Sequence, residues 1–159
     1  MAPKEKQALV QVATNRKALH NYHITDTFEA GVCLTGAEVK SMRDRQVSME
    51  QSFARLDGEE AFLHNLNIKP YKFDHSLSVY DPARTRKLLL SRAELKKLVG
   101  RVSIKGSTIV PLEIYFKNGW AKVKLGLAEG KKAVDKRDDI KKKDIEREVR
   151  REFKADFRG

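Results

Sequence analysis

Thr108-Ile109-Val110-Pro111-Leu112-Glu113-Ile114-Tyr115-Phe116-Lys117-Asn118-Gly119-Trp120-Ala121-Lys122-Val123-Lys124-Leu125-Gly126 is the stretch that decides the fold. Two alternating runs flank Asn118-Gly119, the dipeptide best suited to the positive φ angles of a two-residue hairpin turn. Such a turn pairs Lys117 with Trp120, Phe116 with Ala121, Tyr115 with Lys122, Ile114 with Val123, Glu113 with Lys124 and Leu112 with Leu125. One face is then wholly apolar: Leu112, Ile114, Phe116, Ala121, Val123 and Leu125. The other presents Glu113, Tyr115, Lys117, Trp120, Lys122 and Lys124, aromatic rings interleaved with ammonium groups on the solvent side. Pro111 lacks an N–H and predicts that its strand is partly an edge.

Moving outward, apolar side chains fall on even positions at Tyr22, Ile24, Phe28, Ala30, Val32 and Leu34, the period of a half-buried strand. Asp26 interrupts that pattern, and Gly31 suggests a bulge of the kind that closes a barrel. Thr35-Gly36-Ala37-Glu38 reads as a capping box opening a short helix to about Asp44, with Lys40, Arg43 and Arg45 pointing outward. Strands are expected at 52–56 and 61–68, joined by Asp57-Gly58, followed by a loop over 69–83. Ser91-Arg92-Ala93-Glu94 is a second capping box, and its helix is expected to stop at Gly100. Val102 and Ile104 then read as a further strand before a turn at Gly106-Ser107. Six or seven short strands and two or three short helices are best buried as a closed antiparallel barrel of the oligonucleotide-binding type, so the fold class is mainly β.

The first 21 residues read as a polar leader without a core role, Val10 and Val12 offering a short strand. The chain divides into a leader (1–14), a barrel (15–127) and a charged tail (128–159). Along the tail, Ile140, Ile145, Val149, Phe153 and Phe157 form a narrow apolar stripe. A segment of this kind is expected to be disordered when free and helical once the stripe finds a partner.

Charge narrows the function. The 159 residues carry 33 Lys and Arg against 22 Asp and Glu, a net charge of +11 that favours a polyanionic partner, nucleic acid by default. The tail is nearly balanced, with 12 basic and 9 acidic side chains, so the excess sits in the body. Within it, Arg84, Arg86, Lys87, Arg92, Lys96, Lys97, Arg101 and Lys105 face a single acid, Glu94, a run suited to phosphate. The face of Tyr115, Lys117, Trp120, Lys122 and Lys124 suits either plain solvation or contact with RNA. No apolar run approaches the length of a membrane span, no secretory signal is seen, and the lone cysteine, Cys33, permits no intrachain disulfide. A cytoplasmic, monomeric protein is expected.

Enzyme signatures are weak. Gly126 to Lys132 resembles a phosphate-binding loop but has one residue too few between its glycines, and Lys132 stands where a magnesium-binding Ser or Thr is needed. His20, His23, His64 and His75 show no metal-binding spacing, so neither metal nor cofactor is expected. A single-strand RNA chaperone acting through Tyr115 and Trp120, or a nuclease, stay open as other classes.

Asn15-Arg16-Lys17, Phe28-Glu29-Ala30-Gly31, the run from Leu34 to Ser41, the run from Asp81 to Leu90, Tyr115-Phe116-Lys117-Asn118-Gly119 and the run from Gly130 to Arg137 occur in series. Together these blocks resemble the small protein B, or SsrA-binding protein, family of bacteria. That resemblance implies a barrel that binds the tRNA-like domain of transfer-messenger RNA and delivers it to stalled ribosomes for trans-translation. It implies no enzyme activity. The expected RNA-contacting residues are Asn15, Arg16, Lys17, Tyr22, Glu29, Lys40, Arg43, Arg84, Arg86, Lys87 and Leu89. For the ribosome they are Lys117, Trp120, Lys122 and Lys124 on the barrel, and in the tail Lys131, Lys132, Asp135, Lys136, Arg137, Ile140, Lys141, Lys142, Lys143, Ile145 and Val149. The tail is expected to enter the empty messenger channel of the small subunit beside the decoding centre. Leu19 and Val134 stand where many members carry Arg and an aromatic or His.

Overall fold

Asn118 and Gly119 have φ angles of 51° and 81° and turn β8 (Ser107–Lys117) into β9 (Trp120–Gly130). The computed structural model describes residues 9–75, 79–103, 107–130 and 133–156. Before this hairpin come β1 (Leu9–Thr14), α1 (Arg16–Asn21), β2 (Tyr22–Val32), α2 (Gly36–Arg43), β3 (Val47–Ser48), β4 (Phe53–Asp57), β5 (Glu60–His64), β6 (Asn67–Ile68), β7 (Arg86–Leu89) and α3 (Arg92–Val102); α4 (Ala133–Asp156) follows it. The strands form a seven-stranded antiparallel sheet in the order β1-β8-β4-β5-β7-β2-β9, with β8 also paired to β9, and a small β3-β6 sheet.

Five of the six expected hairpin pairs are present, from Lys117–Trp120 to Glu113–Lys124. The sixth is not. Pro111 rather than Leu112 lies opposite Leu125, so Leu112 is an extra residue at a bulge. The bulge places Leu112 in a second small core with Val110, Ala128 and Ala18 of α1. A matching shift in β2 leaves Thr25 extra between Ile24, opposite Ala128, and Asp26, opposite Leu127. Tyr22 and Ile24 therefore pack on the second core while Phe28 and Ala30 serve the first, although all four stand at even positions. Gly31 is in register with both neighbours, Lys122 and Leu89, and is not the bulge. What it provides is room, because a Cβ there would lie 3.3 Å from that of Leu89.

Other expectations change as well. The short strand offered by Val10 and Val12 is present as β1, but residues 9–14 are not a leader without a core role: β1 pairs with the second half of β8 and packs Val12 and Ala13 against the main core. With β1 on one part of its flank and Ala54 of β4 opposite Ile109 on the other, β8 is an inner strand, and Pro111 sits where one neighbour gives way to the next. The 61–68 run breaks at Asn65, whose φ is 59°, and the turn before it is centred on Gly58-Glu59. Gly100 lies inside α3, which buries Leu98 completely and carries on to Val102, because Leu95, Leu98 and Val102 keep a helical period past the glycine. Ile104 and Gly106 lie outside the described residues. The boundary at 127 also moves, since β9 reaches Gly130 by pairing with Tyr22.

Both capping boxes form, and the first does more than cap. Glu38 Oε1 accepts from the Thr35 backbone N–H (3.0 Å) and from Arg84 Nε (3.1 Å), while Oε2 accepts from Arg86 Nε (2.6 Å). The side chains of Glu38 and Arg86 have no exposure at all. Arg86 spends its remaining donors on the carbonyls of Leu66 (2.6 Å), Arg84 (3.1 Å) and Pro82 (3.1 Å). The buried pair thereby joins the start of α2, the start of β7 and the long loop between β6 and β7. Burial pushes the Glu38 carboxyl up, but the hydrogen bonds from Arg84, Thr35 and Arg86 outweigh it and leave it below its ordinary value.

Two stability predictions follow from these contacts. Glu38→Ala, which strands a buried guanidinium, should lower the urea-unfolding free energy by about 3–5 kcal/mol. A carboxyl held below its unfolded value stabilises the fold above that value, so this contribution fades as pH falls through the lowered folded value. Asn15 caps α1 by accepting from the Ala18 N–H (3.1 Å) and donates Nδ2 to the Pro111 carbonyl (2.9 Å) beside the bulge. Asn15→Ala should cost about 1–3 kcal/mol in the same measurement.

Candidate nucleic-acid interface

Residues in register across a sheet share a face, and the register here assembles one surface from five strands. One row runs from Leu89 on β7 through Gly31 on β2 and Lys122 on β9 to Tyr115 on β8 and Gln11 on β1. Beside it, Glu29 aligns with Lys124 and then Glu113. Toward the hairpin tip, Lys117 aligns with Trp120 and Leu9.

The surface is specifically furnished. Leu89 is a leucine 54 % exposed on β7, a strand flanked on both sides, and Trp120 at the tip is 73 % exposed. The Tyr115 hydroxyl donates to Oε2 of Glu29, and Lys117 Nζ lies 3.4 Å from Oε1. The hydrogen bond from Tyr115, with Lys117 and Lys122 close by, outweighs partial burial and holds the Glu29 carboxyl below its ordinary value. Burial together with the bond to Glu29 pushes the Tyr115 phenol well above its ordinary value. The face therefore offers an ionised carboxylate, an apolar ledge and ammonium groups side by side. Such a set can accept from a base N–H, stack against an unpaired base and neutralise phosphate.

The expected site residues divide accordingly. Glu29 and Leu89, read as RNA contacts, and Lys117, Trp120, Lys122 and Lys124, read as ribosome contacts, lie on this one face. Lys87 stands next to it in register with Phe62 and is paired to Glu60 at 2.8 Å. Arg86 does not join it: with no exposure and every donor directed at protein oxygens, it cannot reach a phosphate and acts as a frame residue. Asn15 is likewise consumed by the α1 cap and the bulge. Arg84 is partly exposed but bound to Glu38. The open aromatic and ammonium face also needs correction, because the Tyr115 ring is only 6 % exposed and its hydroxyl is engaged.

Other candidates sit elsewhere in the fold. Arg16 and Lys17 are on α1, Lys17 lying 3.1 Å from Glu50, and Tyr22 packs on the second core. On α2, Lys40 Nζ lies 5.6 Å from the Tyr71 ring and Arg43 lies 4.6 Å from that of Phe116. Arg92, Lys96, Lys97 and Arg101 are exposed along α3. In the tail, Asp135 and Lys136 fall in α4, and Arg137, Ile140, Lys141, Lys142, Lys143, Ile145 and Val149 are exposed along it. Lys131, Lys132 and Phe157 lie outside the described residues. The partnership of Tyr115 with Glu29 went unread in the sequence because 86 residues separate the two; only the register of β2 on β9 could have exposed it. Among the described residues no group of His, Cys, Asp or Glu could hold a metal ion, and no helix is long and apolar enough to cross a membrane.

Comparison with known proteins gives the chain a family setting. The family profile described as "SmpB protein" matches residues 12–155. The chain is 53 % identical over 154 residues to the SsrA-binding protein of Elusimicrobium minutum (strain Pei191), covering 97 % of each chain. It is 50 % identical over 158 residues to that of Acetivibrio thermocellus, covering 99 % of this chain and all of the relative. With the SsrA-binding protein of Geobacillus thermodenitrificans it shares 50 % identity over 143 residues, 90 % of this chain and 92 % of the relative. A solved chain described as "tmRNA-SmpB: a journey to the center of the bacterial ribosome" superposes with a TM-score of 0.65 at 52 % identity, covering 77 % of this chain and 86 % of that one. A profile spanning nearly the whole chain, and relatives of matching length at half identity, place this chain in the SmpB protein family.

Proposed function

We propose that this chain is an RNA-binding adaptor that holds the tRNA-like domain of transfer-messenger RNA on the outer face of β2, β7, β8 and β9 and brings it to stalled ribosomes. The observation that carries the reading is the juxtaposition of ionised Glu29 and exposed Leu89 with Lys117, Lys122 and Lys124. A polyanion alone would call for cations only, whereas a carboxylate and a leucine among them suit unpaired bases in a folded RNA. Relatives named for SsrA binding and a structural neighbour described as tmRNA-SmpB on the bacterial ribosome support it. The return pairing of β8 with β9 supports a closed barrel of the oligonucleotide-binding type. In this reading the protein binds without catalysing a reaction, works in the cytoplasm as a monomer, and needs no cofactor. The body spans residues 9–130 and the tail follows. The tail is loose until α4 lays its exposed stripe of Ile140, Ile145 and Val149 into the messenger channel, with Arg137, Lys141, Lys142 and Lys143 facing ribosomal phosphates.

The test is a binding titration across salt with three RNAs of equal length: a tRNA-like domain of transfer-messenger RNA, an ordinary tRNA and an unstructured strand. All three weaken as salt rises, so the informative quantity is the preference left at high salt. The tRNA-like domain should keep a clear preference; an unstructured strand bound as well or better would transfer the reading to a general RNA chaperone. Lys122→Ala and Lys124→Ala should each reduce the slope of log K against log salt by about 1 where they neutralise a phosphate. Ile145→Asp with Val149→Asp should leave this binding unchanged and abolish ribosome rescue in a reconstituted translation assay. Weakened RNA binding in that double variant would place the tail on the RNA instead.

A further inference from the structure

On the RNA face, Glu29 is the one acid directly facing the lysines of β8 and β9 whose carboxylate is also tied to a tyrosine hydroxyl. A free carboxylate on this strand could swing toward either Lys117, Lys122 or Lys124 and be neutralised as a surface ion pair, a contact of small and salt-sensitive value. In the structure the Glu29 carboxylate meets Lys117 at 3.4 Å through Oε1, while the hydroxyl of Tyr115 holds Oε2 and keeps the carboxylate from swinging among the three lysines. Tyr115 is 6 % exposed and stands between Lys122 and Gln11 in the row that starts at Leu89, so the hydroxyl is a fixed donor. By taking Oε2 it leaves Oε1, on a side chain 38 % exposed, with only the longer contact to Lys117 Nζ at 3.4 Å, so Oε1 is the oxygen a ligand can compete for. Leu89 stands one residue pair further along β2, opposite Gly31, where the missing side chain lets the leucine lie down on the strand. A flat group resting on Leu89 would thus meet the open lone pairs of Glu29 at its rim.

We infer that Tyr115 is a positioning residue for RNA selectivity: it fixes Glu29 as an acceptor for the amino or imino N–H edge of an unpaired base lying against Leu89. This rests on the adaptor reading above. The geometry also accounts for rejection. An acceptor pinned in place repels a phosphate that the surrounding lysines would otherwise welcome, so the same pair discriminates folded RNA with a splayed base from any polyanion.

The experiment is a double-mutant cycle on the full chain with Tyr115→Phe, Glu29→Gln and the two combined. It is read as affinity for the tRNA-like domain and for an unstructured strand of equal length at high salt. Tyr115→Phe keeps the ring and should leave the thermal midpoint near that of the parent. It should reduce the preference for the tRNA-like domain about tenfold, and the double variant should be no worse than Glu29→Gln alone, because the tyrosine acts through the carboxylate. A carboxyl titration by NMR supplies an independent readout. Glu29 faces Tyr115 and Lys117 on β8, Lys122 and Lys124 on β9, with Glu113 beyond Lys124; removing only the hydroxyl should move its titration to higher pH. Unchanged selectivity in Tyr115→Phe, or losses that add in the double variant, would overturn the inference while leaving the adaptor reading intact. Absence of any preference in the parent protein would overturn both.

Discussion

The buried ion pair between Glu38 and Arg86 is the constraint on which the rest of the structure depends. Neither side chain is exposed, and together they tie the first residue of β7 to the N-terminal turn of α2, to the Leu66 carbonyl just before β6 and to the Pro82 and Arg84 carbonyls of the β6–β7 connection. A pair of this kind adds little stability over a hydrophobic substitute, yet it tolerates only one arrangement of its partners. Here that arrangement sets where β7 begins and so which residues reach the outer face. With Arg86 turned inward, the alternation of a strand turns Lys87 outward, buries Leu88 and exposes Leu89. The apolar ledge of the outer face is in this sense a consequence of an interior salt bridge.

Two bulges do the remaining shaping. The extra residues Thr25 and Leu112 shift β2 and β8: β2 serves the second core before its bulge and the main core after it, while β8 serves both cores before its bulge, through Ile109 and Val110, and the main core after it, through Ile114 and Phe116. Beyond the bulges, toward the hairpin tip, the outer residues Glu29, Lys122, Lys124, Tyr115 and Lys117 come into cross-strand register. The site is made of strands rather than loops, which holds its groups in place before any RNA arrives.

Much of this was legible in the sequence. The Asn118-Gly119 turn, five hairpin pairs and both capping boxes follow from local rules that need only a few neighbouring residues, and they are present. What escaped has a common cause. Leu112 and Thr25 look like ordinary members of alternating strands, since a bulge is a property of two strands together and leaves no mark on either alone. The strand at Val10 and Val12 was legible, but its place in the core escaped because its partner in β8 is a hundred residues away. Arg86 read as a surface cation because a basic run gives no sign that one of its members finds a buried carboxylate. Glu29 and Leu89 were reached by family resemblance, whereas Tyr115 as the partner of Glu29 required the register.

The central claim is that RNA meets the outer face of β2, β7, β8 and β9. Backbone amide shifts of the labelled protein, followed by NMR as a tRNA-like domain of transfer-messenger RNA is added, test it most directly. The account predicts that the largest changes fall on Glu29 to Gly31, Leu89, Tyr115 and Lys122 to Lys124, with α3 nearly silent. Changes concentrated on Arg92 to Arg101, with Glu29 and Leu89 unmoved, would contradict it.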